Sequence, residues 1–462
     1  MIRLTLKEIA AAVEGQISGP MNDADLEITS VTTDTRQIAA GDLFIALVGA
    51  SFDGHEFVAQ AAQLGAAAVI VERLLDVDVS QIVVADSQHA LGALGAYVKA
   101  KVNPKTVAIT GSNGKTTTKE MVAAILGLEG KVLATAGNFN NEIGVPLTLL
   151  RLTYEHQFAV IELGANHKGE IAYTSSLTRP DVALINNVMP AHIEGFGSIQ
   201  GVAQAKSEIF SGLKEHGVAI VNGDSDFLSY WQQRVKEKPL KWFSRQNQDA
   251  HVFATDVALN EQGLASFILH APQGQQAISL PVPGLHNVSN ALAAASLCLE
   301  IGVSLATIAN GFTHMQAAKG RLNVHQVRPG LTLIDDTYNA NLASAQAAID
   351  LLTLYPGKHI FVVGDMGELG DQAREYHQEL GEYALAKQVD AVAAVGVLSL
   401  HTAEGAASVG HYFSDKAPLY AWLTEQLSNQ EQPISILVKG SRSAHMEEVV
   451  AFINQNQKAQ AC

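Results

Sequence analysis

Short apolar runs alternate with longer amphipathic stretches along the first hundred residues. Asp42–Val48 and Ala66–Val71 have the length and apolar character of buried strands, and Glu56–Leu64 between them has the spacing of a helix. A strand, a helix and a second strand in this order are typical of α/β units with parallel strands. The pattern therefore predicts a small α/β domain at the start of the chain.

The same alternation continues through the middle of the chain. We predict strands at Thr106–Thr110, Phe158–Leu163 and Val182–Asn187. The polar stretch Trp231–Gln276 predicts a β-rich excursion, and the alanine-rich stretch Asn290–Ile301 predicts a buried helix. These elements indicate a central α/β domain with a mostly parallel sheet.

A third set of strands is predicted near the end of the chain, at Leu331–Asp335, His359–Gly364, Ala391–Gly396 and Ile434–Lys439. Helical stretches such as Asp371–Lys387 and Lys416–Leu427 separate them. This is the pattern of a doubly wound, Rossmann-like domain, in which ligands bind beyond the carboxyl ends of the strands.

The length of the chain agrees with three domains. At roughly 100–200 residues per domain, 462 residues correspond to about three domains. Asn103 and Pro104 interrupt the pattern and predict a linker. We place the domains at residues 1–102, 103–317 and 318–462.

Charge and composition argue against several classes of protein. A formal net charge of -16 at pH 7 does not suit a nucleic-acid binder or a protein of anionic membrane surfaces, which need a basic face. The two cysteines, Cys298 and Cys462, indicate neither a disulfide framework nor a thiolate zinc site. The first residues lack an apolar signal segment, and no run is long enough to span a bilayer. We therefore expect a cytoplasmic protein.

The strongest local signal is the segment 107–118, Val-Ala-Ile-Thr-Gly-Ser-Asn-Gly-Lys-Thr-Thr-Thr. A predicted strand leads into a glycine turn, a lysine and hydroxyl side chains that open a helix. Gly111 and Gly114 allow backbone N–H groups to approach an anion, and the helix N-terminus adds partial positive charge. Lys115 would meet the β- and γ-phosphates of a nucleotide, and Thr116 would contact Mg²⁺. The alternative is a plain glycine turn beside a lysine.

Two further candidates follow predicted central strands. Glu162 lies near the carboxyl end of its strand, where a buried carboxylate is costly unless it is paired or bound to metal. We predict a Mg²⁺ ligand there, with an edge salt bridge as the alternative. His192 lies in a loop after the next strand. A loop histidine is usually a surface residue, but this position places it at the ligand-binding edge of the sheet.

Lys206 lies within an apolar helical stripe, four residues after Val202 and three before Ile209. Lysine is rarely buried unless it is paired or functional. A desolvated lysine has a lowered pKa and could take up CO₂ as a carbamate, which would turn a cation into a metal-binding anion. From the spacing alone, the favoured interpretation is an apolar stem whose amine pairs with a carboxylate.

Taken together, motifs along essentially the whole chain resemble the Mur ligase family. The central and third-domain motifs are Thr110-Gly-Ser-Asn-Gly-Lys-Thr-Thr, His286-Asn-Val-Ser-Asn-Ala-Leu-Ala-Ala, Gly320-Arg321 and Asp335-Asp-Thr-Tyr-Asn-Ala-Asn341. The motifs that resemble the D-alanyl-D-alanine-adding members are Ala136-Gly-Asn-Phe-Asn-Asn-Glu-Ile-Gly-Val-Pro146, Gly364-Asp-Met-Gly-Glu-Leu-Gly370 and Lys439-Gly-Ser-Arg-Ser443. The segments Thr33–Arg36, Gly41–Phe44 and Phe52–His55 resemble the family's UDP-binding domain.

The resemblance implies an ATP-dependent ligase that joins D-alanyl-D-alanine to UDP-N-acetylmuramoyl-tripeptide through an acyl phosphate. It implies ATP, two Mg²⁺ ions and a carbamylated lysine as cofactors. The first domain would bind the UDP precursor, and the central domain would bind ATP. The third domain would close on ATP and receive the dipeptide. We expect a monomer with no nucleic-acid partner and no membrane span.

The resemblance also assigns roles to individual residues, and it reverses the interpretation of Lys206 from spacing alone. The expected ATP contacts are Gly111, Ser112, Asn113, Gly114, Lys115, Thr116, Thr117, Asn290, Arg321 and Asp336. The expected metal ligands are Thr116, Glu162, His192 and Lys206, and the expected catalytic residues are Lys115, Lys206 and His192. The expected substrate contacts are Thr33, Asp34, Thr35, Arg36, Asn138, Asn140, Asn141, Tyr338, Asn339, Asn341, Lys439, Ser441 and Arg442.

Other functions are weaker alternatives. A related ligase that adds diaminopimelate or lysine shares the first-domain segments, but its third domain typically carries an Asp-Asn-Pro-Arg motif that is absent from this sequence. A folate polyglutamate ligase would lack the first domain. A P-loop ATPase or kinase that acts as a switch would hydrolyse ATP without dependence on an amine. A non-catalytic binding protein would not need the intact set of candidate site residues.

Overall fold

A computed structural model gives the fold and describes residues 1–19, 23–49, 51–190, 193–428 and 432–460. Three separate sheets of five, nine and six strands follow one another along the chain, together with a small two-stranded sheet. The predicted α/β class is confirmed, because helices separate the strands and most neighbouring strands are parallel. Within the described ranges, no helix combines the length and apolar character that a bilayer crossing needs.

The first sheet has the strand order β2-β7-β6-β5-β4 and lies next to the two-stranded sheet β1-β3. Its strands are β1 Leu4–Thr5, β2 Gln16–Ser18, β3 Glu27–Ile28, β4 Val31–Thr32, β5 Leu43–Ile45, β6 Ala68–Val71 and β7 Ser80–Val83. The helices are α1 Leu6–Ala12, α2 Val58–Gln63 and α3 Ser87–Val102. Strands β4 to β7 are parallel, as the two apolar runs predicted, and β2 is antiparallel to β7.

The central sheet has the order β16-β15-β14-β13-β12-β11-β8-β10-β9. Its strands are β8 Lys105–Thr110, β9 Val132–Ala134, β10 Phe158–Glu162, β11 Val182–Ile185, β12 Val218–Asn222, β13 Leu240–Ser244, β14 Val252–Leu259, β15 Leu264–Ala271 and β16 Gly274–Pro283. The helices are α4 Lys115–Leu126, α5 Gly144–Leu149, α6 Glu170–Thr178, α7 Ile193–Phe196, α8 Ile199–Ser207, α9 Leu228–Arg234, α10 His286–Glu300 and α11 Leu305–Thr313.

The predicted β-rich stretch at Trp231–Gln276 is confirmed in its strands β13 to β16, but its first residues are helical and it is not separate from the central sheet. Trp231 is fully buried in helix α9, and the strands that follow continue the central sheet. Strand β13 pairs in parallel with β12, and the antiparallel strands β14, β15 and β16 extend the same sheet outward. Polar residues alternate along these strands because one face packs on helices and the other is exposed.

The third sheet has the order β17-β18-β22-β19-β20-β21. Its strands are β17 Asn323–Arg328, β18 Leu331–Asp336, β19 Lys358–Gly364, β20 Ala391–Val395, β21 Gly410–Phe413 and β22 Ile434–Lys439. The helices are α12 Leu342–Leu352, α13 Ala373–Ala386, α14 Ser399–Gly405, α15 Lys416–Ser428 and α16 Glu447–Gln460. The four apolar runs form parallel strands, β21 adds a fifth parallel strand at one edge, and β17 is an antiparallel strand at the other edge.

One apolar core joins the first sheet to the central sheet through helix α3. Leu94 and Val98 of α3 belong to the same buried cluster as Val145 and Leu149 of α5. The two helices approach closely at Gly95, where an added Cβ would lie 3.0 Å from the Cα of Pro146. The two clusters that line the third sheet contain only residues from 322 onward. The first and central sheets therefore share a core, whereas the third sheet has its own.

Lys99 is a buried cation at the junction between the first and central sheets. Its Nζ donates to the carbonyl of Arg179, the residue that ends helix α6, at 3.0 Å. The side chain is 3 % exposed, and burial lowers the pKa of Lys99 to about 8. Between this pKa and the unfolded value near 10.5, the unfolded chain binds more protons than the folded chain.

We therefore expect the unfolding free energy of the protein to rise with pH between about 8 and 10.5 through Lys99. The slope from this one group is at most about 1.4 kcal/mol per pH unit. In the variant Lys99→Met, this contribution should disappear. Urea unfolding at several pH values tests the prediction, with Lys131→Met as an exposed control. An unchanged slope in Lys99→Met would contradict it.

Candidate functional site

The loop between β8 and α4 has the geometry of an anion site. Gly114 adopts the left-handed conformation (φ 75°) at the N-cap of α4, and no side chain caps this helix. Among the described residues, the backbone N–H groups of Gly114, Lys115 and Thr116 have no recorded partner. A helix N-terminus with free N–H groups attracts phosphate oxygens. This arrangement agrees with the loop that the sequence predicted.

The ammonium group of Lys115 turns back over this loop. Its Nζ donates to the carbonyl of Gly111 at 2.7 Å and lies 3.4 Å from that of Ser112. Burial lowers the pKa of Lys115, an effect that the Glu162 carboxylate opposes and the Arg321 guanidinium increases. Arg321 belongs to the third domain, so both domains act on the electrostatics of this lysine.

Two asparagine side chains that follow β11 hold the loop through hydrogen bonds to the backbone of Asn113. The carbonyl of Asn113 accepts from Asn186 Nδ2 at 2.9 Å and Asn187 Nδ2 at 3.0 Å, and its N–H donates to Asn187 Oδ1 at 2.8 Å. Asn186 Nδ2 also donates to Asn290 Oδ1 at 2.9 Å. A Cβ on Gly114 would lie 2.3 Å from Asn290 Oδ1, which explains why only glycine fits there. The structure thus places the side chain of Asn290 against Gly114 of the loop.

Glu162 and Thr116 meet at the carboxyl edge of the central sheet. Thr116 Oγ1 donates to Glu162 Oε2 at 3.0 Å, and Asn140 Nδ2 donates to Glu162 Oε1 at 2.8 Å. Glu162 is 2 % exposed, and among the described residues it forms no ion pair. An edge salt bridge, the alternative for Glu162, is not seen among these residues, and the assignment of Glu162 as a Mg²⁺ ligand stays a prediction.

These oxygen atoms fit a Mg²⁺ ion that is held largely by a nucleotide. Mg²⁺ usually takes one or two protein oxygens and completes its shell with phosphate oxygens and water. The hydroxyl of Thr116 and the carboxylate of Glu162 supply such oxygens beside the free N–H groups of the loop. In the described part of the chain, no cluster of three His, Cys, Asp or Glu groups forms a protein-only cage.

Lys206 is buried near Lys115. Helix α8 begins after Ser198, whose side chain accepts the N–H of Gly201, and Lys206 lies in its last turn at 3 % exposure. Burial, and secondarily the charge of Lys115, lowers the pKa of Lys206 well below its usual value. No carboxylate among the described residues forms an ion pair with it, so the interpretation as a stem paired with a carboxylate is not supported. His192 lies outside the described residues.

Arg321 and Tyr338 form one unit of the third domain. The Arg321 guanidinium lies 4.3 Å from the centre of the Tyr338 ring, within the range of a cation–π interaction. Its Nε is buried and has no hydrogen-bond partner among the described residues. The ring fixes the stem of Arg321 while leaving donors of the guanidinium available.

Asp336 and Lys439 form a buried ion pair at the ends of β18 and β22. Lys439 Nζ also donates to the carbonyl of Asn339 at 2.9 Å, and Asp336 Oδ1 accepts the N–H of Leu322 at 3.2 Å. Burial lowers the pKa of Lys439. Lys439, which was predicted to contact substrate, is 1 % exposed, and its ammonium group already donates to Asp336 and to the carbonyl of Asn339. Its observed contacts stabilise the loop that carries Asn339.

The remaining third-domain candidates differ in accessibility. Asn339 Oδ1 accepts the N–H of Ala340 at 2.9 Å, and Asn341 caps helix α12. Ser441 is buried, with its Oγ 3.1 Å from Ser443 Oγ, whereas Arg442 is exposed and pairs with Glu447 at 3.1 Å. These groups surround the carboxyl ends of β18, β19 and β22, where ligands of doubly wound sheets bind.

The predicted peptide-facing loop follows β9. Asn138 and Asn141 are exposed, and Asn141 Oδ1 accepts the N–H of Gly144 at 2.8 Å at the start of α5. Asn140 is instead directed at Glu162, as described above. The loop therefore links the candidate peptide site to the candidate metal site through one amide.

The predicted first-domain residues form a separate group after β4. Asp34 caps a short 3₁₀ helix, Thr35–Gln37, and accepts both the N–H and the guanidinium of Arg36, the latter at 2.8 Å. Arg36 is exposed, and Thr33 is half-buried. The structure does not bring these residues to the phosphate loop by any recorded contact.

Sequence reasoning missed several residues that the structure places at the site. Asn186 and Asn187 immediately follow β11, and the rule that ligand sites lie beyond strand ends could have found them. His286, at the start of α10, has a pKa lowered to about 4 by burial, with Asp336 opposing the effect. Glu368 lies within the Gly364–Gly370 motif, and its charge raises the pKa of Lys115.

Comparison with known proteins shows similarity along the whole chain. Three family descriptions match it: the Mur ligase family catalytic domain over residues 27–124, the Mur ligase middle domain over residues 109–298, and the Mur ligase glutamate ligase domain over residues 320–442. The UDP-N-acetylmuramoyl-tripeptide–D-alanyl-D-alanine ligase of Escherichia coli is 47 % identical over 456 residues, which cover 99 % of each chain. The ligase of the same name from Bacillus subtilis is 36 % identical over 97 % of this chain and 98 % of its own.

Solved structures agree with these relatives. A crystal structure of MurF from Acinetobacter baumannii has a TM-score of 0.93 and 42 % identity, covering 98 % of this chain and 99 % of its own. The MurF ligase of Thermotoga maritima, solved in complex with ADP, has a TM-score of 0.81 and 26 % identity, covering 93 % of this chain and 98 % of its own. With sequence, length and fold in agreement, the chain belongs to the Mur ligase family.

Proposed function

We propose that this protein is an ATP-dependent ligase that joins D-alanyl-D-alanine to UDP-N-acetylmuramoyl-tripeptide. The observation that carries the proposal is the end-to-end identity of 47 % with a ligase of that name, which leaves no domain of either chain unmatched. The reaction would serve peptidoglycan precursor synthesis and, through it, cell shape and cell division. We place the enzyme in the cytoplasm, acting as a monomer.

The chemistry requires activation of a carboxylate. The terminal carboxylate oxygen of the tripeptide attacks the γ-phosphorus of ATP, and the bond between that phosphorus and the β–γ bridging oxygen breaks, which releases ADP. The amine of D-alanyl-D-alanine, having lost a proton, then attacks the acyl phosphate carbon. The new C–N bond forms as the C–O bond to phosphate breaks. Positioning and charge stabilisation are the main demands of such a reaction on the protein.

The central domain would hold the ATP phosphates. The free N–H groups of Gly114, Lys115 and Thr116 face one side of the bound anion, and the ammonium of Lys115 offsets the charge that moves to the bridging oxygen. Ser112, Asn113 and Thr117 complete the loop. Bound Mg²⁺ would screen the repulsion between the nucleotide and the carboxylate. Thr116, Glu162, His192 and a carbamylated Lys206 are the groups that we propose to hold up to two such ions.

The third domain would complete the site from the opposite side. Arg321, fixed on the Tyr338 ring, has guanidinium donors for phosphate oxygens, and Asp336 supports the backbone beside it. We place the dipeptide beyond the ends of β18, β19 and β22, among Tyr338, Asn339, Ser441 and Arg442. The muramoyl peptide would lie along the Asn138–Asn141 loop, and Thr33–Arg36 would receive the UDP group.

The direct test is phosphate release from ATP and Mg²⁺ with UDP-N-acetylmuramoyl-tripeptide, with and without D-alanyl-D-alanine. We expect release to require both substrates, and mass spectrometry to show a product enlarged by the dipeptide. Diaminopimelate and lysine, offered with the corresponding UDP-dipeptide, serve as controls and should give no product. Phosphate release that ignores D-alanyl-D-alanine, or a product with either control amine, would refute the proposal.

A further inference from the structure

A pair of asparagine side chains connects the ATP loop to the third domain. Asn341 Nδ2 donates to Asn113 Oδ1 at 2.6 Å, and Asn113 Nδ2 donates to Asn341 Oδ1 at 3.2 Å. Each carboxamide uses one donor and one acceptor, so the two groups match in both directions. Two amides suit this reciprocal arrangement, because each offers a donor and an acceptor in one plane, whereas an ionised carboxylate only accepts.

The Asn113 end of the pair is fixed in the central domain. Its backbone N–H and carbonyl are bound by Asn186 and Asn187, as described for the loop. Its side chain makes no other recorded hydrogen bond among the described residues. Although Asn113 was predicted to contact ATP, both its backbone N–H and its carboxamide are therefore committed to protein partners.

The Asn341 end is fixed in the third domain. Its Oδ1 accepts the N–H of Ser344 at 3.0 Å, and its own N–H donates to Ser344 Oγ at 3.1 Å, which forms a capping box at the start of α12. Helix α12 is anchored in the third-domain core by buried residues such as Ala345 and Ile349. A displacement of Asn341 therefore requires displacement of the domain.

The asparagine pair connects the central and third domains, whose apolar cores are separate. No described residue of the central domain belongs to the apolar clusters of the third sheet. A second polar contact between the domains joins Tyr355 to the carbonyl of Gln262 at 2.9 Å, on the hairpin between β14 and β15. The amide pair, by contrast, lies on the phosphate loop itself. Its position makes loop geometry and domain docking depend on each other.

We infer that Asn113 and Asn341 are positioning residues that latch the third domain onto the ATP loop, rather than contacts to ATP or substrate. The inference rests on the proposed ligase function for its kinetic test. With the latch formed, Arg321 is held near Lys115, where the third domain can act on the phosphates. Without it, the docked arrangement loses two hydrogen bonds and is less populated.

The test is a double-mutant cycle with variants that separate the latch from the helix cap. Asn113→Ala removes the side chain but keeps the backbone contacts. Asn341→Ser keeps an N-cap of equal rank and shortens the side chain beyond reach of Asn113. We expect each variant to lower kcat/KM for ATP about tenfold, the scale of one or two lost hydrogen bonds, with an unchanged melting temperature.

The double variant distinguishes a latch from independent ligand contacts. If the two residues act only on each other, the double variant should again lose about tenfold. Losses that multiply to about a hundredfold would overturn the inference, because each residue would then contact something else. Single variants with wild-type kcat/KM would overturn it as well.

Energy transfer between the two domains does not depend on catalysis, so it tests the latch separately from the proposed ligase function. Fluorophores on cysteines introduced at exposed Ser229 and Ala386, in a Cys462→Ser background, report the distance between the central and third domains. With Mg²⁺ and a non-hydrolysable ATP analogue, we expect both single variants to change energy transfer relative to wild type, and by the same amount as the double variant. Unchanged transfer in all variants would overturn the latch. If wild type makes no dipeptide product but transfer changes as expected, the ligase proposal fails while the latch stands.

Discussion

The variant Lys206→Ala is expected to lose at least about a hundredfold in kcat, and short carboxylic acids such as acetate are expected to restore part of it. In this hypothesis, CO₂ converts the amine of Lys206 into a carbamate that helps hold Mg²⁺. The structure provides the necessary surroundings. Lys206 is 3 % exposed, has a lowered pKa and lies close enough to Lys115 for the two charges to interact, and Lys115 in turn interacts with Glu162. A neutral amine is the form that adds CO₂.

An unmodified lysine at this position would work against metal binding. In its charged form, Lys206 would be repelled by the ammonium group of Lys115, and each positive charge would weaken the binding of a metal cation at the site. Conversion of one of them into an anion reverses that repulsion. The measurement is phosphate release by Lys206→Ala with increasing acetate, together with wild-type activity in CO₂-depleted buffer with and without added bicarbonate.

The matched control is Lys115→Met with the same acids. An anion cannot replace the cation at position 115, so acetate should not restore that variant. If acetate restores neither variant and CO₂ depletion leaves wild-type activity unchanged, the carbamate hypothesis is refuted. Intact-protein mass measured at neutral and acid pH gives a readout independent of turnover, because a carbamate loses CO₂ on acidification.

Apolar runs predicted the fold where strands are buried on both faces. Strands β8, β10, β11, β19 and β22 are nearly continuous apolar segments, and they appeared at the predicted places within one or two residues. The edge strands β17 and β21 were not predicted, because their residues are mostly half-buried or exposed and carry no apolar period. The stretch that forms the outer strands of the central sheet was predicted to be β-rich, but its continuity with that sheet was not, because sheet membership depends on pairing, which is not local in sequence.

In the candidate site, too, some residues could be predicted from local sequence, whereas others depend on contacts between distant parts of the chain. Residues at the ends of buried strands, such as Glu162, or in the glycine loop, such as Lys115, were selected from their position alone, and their roles stay predictions. The roles of Asn113 and Asn341 could not be found in this way. Their contact joins positions 228 residues apart, and it depends on how the third domain docks. The buried pair of Asp336 and Lys439 likewise became visible only once β18 and β22 were neighbours.

Lys115→Met is expected to lower kcat/KM for ATP by about a thousandfold or more, the largest effect of any single change considered. The substitution keeps an unbranched stem of similar length and removes the charge. Lys115 Nζ already lies over the loop carbonyls of Gly111 and Ser112, within the reach of phosphates bound at the α4 N-terminus. Because the site is partly desolvated, a missing cation there is not replaced effectively by water or salt.

Two further variants test whether the loss of kcat/KM in Lys115→Met comes from the missing charge at that position. Lys131→Met removes an exposed lysine of the same domain that pairs with Glu155, and it should keep wild-type kinetics. Lys115→Arg keeps the charge but places a planar, longer group in the loop, and we expect it to recover little activity because the geometry differs. Steady-state kinetics with thermal melting separates catalysis from folding. If Lys115→Met retains more than about a tenth of wild-type kcat/KM with a normal melting temperature, the developing charge on the bridging oxygen must be stabilised elsewhere. Arg321, the third-domain cation that acts on this lysine, would then be the group to remove next.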